Sequence, residues 1–165
     1  MNKKMKWAGA VNLLSGIVGF FNIETYLMYP MLIAAILAEV VPNLAFVLAL
    51  LAVLMMYVAF IVYGAHNGVS LALGFGLLTK PTMKKSLQQE AKGLCISNVL
   101  MIVLWGIAFL GITFTIGWKE DIFNMVYTDK IPSYVWKYAL LFTDLFLKGV
   151  SLILNAKLLR KAKQN

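Results

Sequence analysis

An acid and a base stand one helical turn apart inside an apolar run: Asp144 and Lys148, in FTDLFLKGVSLIL at residues 142–154. Side chains four apart meet on a helix, and acid before base is the favourable order. At the centre of a bilayer a lone carboxylate costs roughly 2.5–3.5 kcal/mol even on the lenient insertion scale. Pairing with Lys148 offsets much of that. The two are therefore expected to be buried together, facing protein and chiefly neutralising each other. Intramembrane ionisable residues are also default candidates for an ion or proton site. His66 and Asn67, in Gly64-Ala-His-Asn-Gly68, would converge on the pair if their helix is long; in a short helix His66 is a packed or interfacial histidine.

Helical spacing extends the polar set. Lys137, Asp144, Lys148, Ser151 and Asn155 fall on one face; Asn12, Ser15, Gly19 and Asn22 on another; Tyr63, Asn67, Ser70 and Gly74 on a third; Asn98, Gly106, Thr113 and Gly117 on a fourth. Lipid cannot satisfy such groups, so the stripes should meet inside a bundle. The candidate binding residues are Asp144, Lys148, His66, Asn67, Asn12, Asn98 and Glu24. Glu24 is placed towards the outer end of the first span, reaching the headgroups or lining an outward opening.

Other chemistry finds little to work with. One histidine and one cysteine cannot build an ordinary His/Cys metal site, and no HExxH, GxSxG or P-loop occurs. A bis-histidine haem within one chain is impossible, and Gly74-Phe-Gly76 lacks the context of a dinucleotide fingerprint. Cys95 has no partner for a disulfide or a CxxC pair. No cofactor, metal or catalytic residue is assigned.

The elements that carry these stripes follow from composition. Of 165 residues, 61% are hydrophobic and 13% charged, with mean hydropathy +0.81. A soluble domain is about one quarter charged, and a water-facing core could not hide so much apolar surface. Helices satisfy their own backbone in lipid, so an all-α polytopic membrane protein is predicted. Spans at roughly 20 residues each fall at 7–38, 44–78, 93–117 and 134–156, in a single domain covering 1–165. Spans one and two exceed a bilayer, and kinks are expected at Tyr29-Pro30 and at Gly64–Gly68. The N-terminal MNKKMK and the apolar run after it start like a signal peptide but lack a convincing cleavage site, so the segment is read as a retained span.

Basic loops stay in the cytoplasm. Lys3, Lys4 and Lys6, then Lys80, Lys84, Lys85 and Lys92, then Lys157, Arg160, Lys161 and Lys163 alternate with segments where Lys119, Lys130 and Lys137 mix with Glu39, Glu120, Asp121 and Asp129. Four antiparallel spans with both termini cytoplasmic fit this pattern; five would put a lysine cluster outside. Trp118, Tyr127, Tyr134 and Trp136 mark the outer boundary and Trp7 the inner. The net charge of +8 suits a lipid surface, with no nucleic-acid motif beside it. Lysine in place of arginine everywhere but Arg160 fits a bacterium of low GC content. GVSLALGFGLLTK (68–80) echoes GVSLILNAKLLRK (149–161), and Lys6 precedes Asn12 as Lys92 precedes Asn98. Parallel duplication of hairpins 6–80 and 92–161 would produce both matches.

The expected function is that of a small non-enzymatic membrane protein acting through helix association, as an accessory, regulatory or immunity-type subunit. Its partners would be the bilayer and either another membrane protein or further copies of itself. A small oligomeric transporter or channel using the polar seam is the alternative, and a lipid-modifying enzyme with Asp144 and His66 is third.

Overall fold

The computed structural model describes the backbone of residues 3–80, 82–116 and 131–162, and all their side chains except those of 24–26, 28, 29, 32, 36, 105–116 and 131–138. Every described element is helical: α1 (Lys3–Phe21), α2 (Ile23–Val40), a 3₁₀ turn (Pro42–Leu44), α3 (Ala45–Thr79), α4 (Lys85–Ile116) and α5 (Ile131–Ala162). The boundary residues Trp118, Tyr127, Tyr134 and Trp136 and the polar residues Lys137, Gly106, Thr113 and Gly117 lie outside the described residues or have side chains that do.

Prolines set two of the helix ends. A residue before proline is pushed out of the helical region by the ring. Val41 accordingly has φ −132° and ψ 75°, ahead of Pro42, and Lys80 has φ −88° and ψ 139°, ahead of Pro81. The positions where kinks are expected fall within continuous helix: Pro30 lies inside α2, and α3 runs for 35 residues through Gly64 and Gly68, about 52 Å at 1.5 Å per residue. A break that the sequence did not suggest falls at Asn22. There the backbone reaches φ −88° and ψ −3°, and the side-chain amide donates to the carbonyl oxygen of Leu140 on α5 at 2.9 Å.

Helices α1 and α4 each pack on both α3 and α5, closing a ring, and α2 packs on α3. Glycines bring α1 and α3 together. A Cβ on Gly74 would lie 2.7 Å from the backbone nitrogen of Leu13 and 2.9 Å from the carbonyl oxygen of Gly9. One on Gly16 would lie 3.0 Å from the carbonyl oxygen of Asn67. Backbone is thus packed on backbone, the arrangement small residues give when no water is present to drive helices together. One end is filled by Met5, Ala8, Leu73, Leu77, Leu87, Ala91, Leu94 and Leu158.

The outside is apolar. Phe46 is 82% exposed, and Leu50, Leu54, Tyr57 and Ile61 follow it along α3. Phe142 and Phe146 cover the face of α5 opposite Asp144. Such a surface exceeds what soluble monomers show. Among the described residues two stretches, Pro42–Thr79 and Ala139–Ala162, are by length and composition long and apolar enough to cross a membrane.

Two substitutions on α3 separate packing from helix propensity. Gly74→Ala gains about 1 kcal/mol of propensity but drives Cβ into backbone atoms that cannot turn away, so a net loss of about 1–3 kcal/mol is expected. Gly68→Ala meets nothing within 4 Å and should leave stability unchanged or raised. Thermal unfolding followed by circular dichroism in detergent measures both.

A candidate intramembrane polar site

Each inward face contributes side chains at helical spacing. From α5 come Asp144, Lys148, Ser151 and Asn155, all fully buried. From α1 come Asn12 and Ser15, and from the break after it Asn22; from α3, His66, Asn67 and Ser70; from α4, Asn98. The structure therefore brings together six of the seven candidates read from the sequence. Glu24 falls within α2, and its side chain lies outside the described residues.

Asp144 and Lys148 form a buried ion pair one turn apart on α5. Lys148 nevertheless has no exposed surface, so its ammonium does not snorkel to an interface as lysines near helix ends do. Tyr63 of α3 packs against Leu141 of α5.

A turn further along α5, Asn12 is the hub of a network in which only Oδ1 of Asn98 lacks a partner among the described residues. Its Nδ2 donates to Oδ1 of Asn155, and Nδ2 of Asn155 donates to its Oδ1, both at 3.1 Å. Ser151 Oγ donates to the same Asn12 oxygen at 2.6 Å and accepts from Asn98 Nδ2 at 3.0 Å. Ser70 Oγ donates to the backbone carbonyl oxygen of Asn12 at 2.8 Å. The four helices of the ring are thus tied at one level by side chains whose donors and acceptors match. Buried amides without partners would cost about 2–7 kcal/mol each in apolar surroundings, so the match decides which helices can be neighbours.

The second group is less complete. His66 Nδ1 lies 2.9 Å from Ser97 Oγ, and that hydroxyl donates to the carbonyl oxygen of Leu94 at 3.2 Å. Nε2 of His66, both polar atoms of the Asn67 amide and Oδ1 of Asn98 have no protein partner among the described residues. Sequence reading missed Ser97, because it lies off the polar stripe of α4 and only the packing of α3 on α4 reveals its role. Among the described residues no group of three metal-ligating side chains occurs.

Breaking the ion pair from one side should cost far more than removing it. Asp144→Leu leaves the Lys148 ammonium buried and uncompensated, an expected loss of about 3–5 kcal/mol, whereas Asp144→Leu with Lys148→Met should come within about 1 kcal/mol of wild type or exceed it. A double-mutant cycle by reversible unfolding in detergent measures the coupling.

The sequence matches no protein-family model, and no curated protein and no solved structure matches it.

Proposed function

We propose that the chain is a four-span, multi-pass protein of the cell membrane, with both termini in the cytoplasm, that acts by helix association as an accessory or regulatory subunit. The observation that carries the reading is an outward small-residue face on α3. Gly64 and Gly68 open onto free space; Ala65 and Ala72 are exposed beside them; Tyr57, Ile61 and Phe75 flank them, each more than half exposed. Elsewhere in the chain glycine lets helices approach closely, as Gly9 and Gly74 do. Repeating the small-xxx-small pattern on a face without an internal partner suits a second membrane helix, from a further copy or another protein.

Charge supports the orientation. Lys3, Lys4, Lys6, Lys80, Lys84, Lys85, Lys92, Lys157, Arg160 and Lys161 are exposed around the end filled by Leu77, Leu87 and Leu158, and basic ends stay in the cytoplasm. Duplicated hairpins, 6–80 and 92–161, belong to the same proposal. Asn12 meets Ser70 as Asn98 meets Ser151, and these are the residues that the two sequence echoes equate.

Crosslinking tests association. With Cys95→Ser removing the native thiol, Ala72→Cys in native membranes should yield a crosslinked species. Adding Gly68→Leu should lower its yield roughly tenfold, the effect of about 1.4 kcal/mol of lost association energy, with helical content unchanged. A wild-type face that gives only monomer, or a yield indifferent to Gly68→Leu, removes the reading.

A further inference from the structure

We infer that the buried Asn67 amide lines an internal water site. Asn67 has no exposed surface, and neither end of its amide has a protein partner. Its place is cleared by α1: a Cβ on Gly19 would lie 2.6 Å from Cγ and 2.8 Å from Nδ2 of Asn67. Glycine at 19 therefore admits this amide, where a larger residue would exclude it. His66, the preceding residue, is 5% exposed, and its Nε2 has no protein partner among the described residues.

The unfilled valences select the occupant. Asn67 supplies one acceptor and an amide donor. The species that completes them must both donate and accept. Water does so; an anion, an acceptor only, does not. A bare metal cation, which offers no acceptor to the amide N–H, does not either. Buried waters sit where polar groups converge, and among the described residues only four buried side-chain atoms lack a partner, two of them on Asn67. The site is independent of the association face on α3.

Water-edited solid-state NMR on the isotope-labelled full chain in liposomes tests the site, with water itself as the probe. Magnetisation from water should reach the Asn67 side-chain amide several-fold faster than those of Asn12 and Asn155, which are equally buried but satisfied by protein. Equal build-up at all three amides overturns the inference. Gly19→Ala, which crowds the Asn67 amide, should slow its build-up while the Asn12 and Asn155 signals persist; an unchanged Asn67 rate also counts against it. If that variant does not fold, the wild-type comparison alone decides.

Discussion

A polar group removed from water must find a partner in the protein, and this chain is arranged around that constraint. In a lipid-facing helix the backbone is satisfied within the helix, so the side chains alone determine which faces turn inward. Asp144 and Lys148 are the costliest of them, and both have no exposed surface. Their pairing on one helix makes them a nearly neutral unit before α5 meets any neighbour. Asn12, Asn155, Ser151, Asn98 and Ser70 then act between helices. Each hydrogen bond is worth a modest net amount, but leaving one half unmade costs about 1–3 kcal/mol, and this penalty selects one register over its alternatives.

Glycine lets the network close. Short polar side chains such as serine and asparagine reach a neighbouring helix only if the backbones approach, and Gly9, Gly16 and Gly74 allow α1 to lie directly against α3. Ser70 can then reach a main-chain carbonyl on α1. Gly19 has a related role, since it leaves room for a whole amide. The opposite surfaces carry Phe46, Leu54, Ile61 and Phe146, which need no partner in hydrocarbon. In water this division would be unstable; next to acyl chains it is the low-energy arrangement.

Much of this was legible from spacing. Asp144, Lys148, Ser151 and Asn155 stood out because the 3.6-residue period puts them on one face, and that face is buried. Asn12, Asn67 and Asn98 were identified in the same way. Pairing was not legible: Asn12 and Asn155 are 143 residues apart in sequence, and no local pattern states that α1 and α5 are neighbours. The break at Asn22 was hidden for a similar reason: proline is a local signal and pointed to Pro30, whereas the Asn22 amide meets an acceptor on a distant helix. The length of α3 was legible, since its apolar run continues on both sides of Gly64 and Gly68, and the two residues shape an outer face.

The central claim is the segregation itself, polar side chains inward and apolar ones towards lipid. Labelling the chain in native membranes with a lipid-soluble carbene precursor, followed by peptide mass spectrometry, tests it most directly. The account expects adducts on Phe46, Leu54, Ile61 and Phe146 and none on Asp144, although carbenes favour carboxyl groups. An adduct on the Asp144 carboxylate in the folded protein, at a yield like that of Phe146, would place the ion pair against lipid and contradict the account.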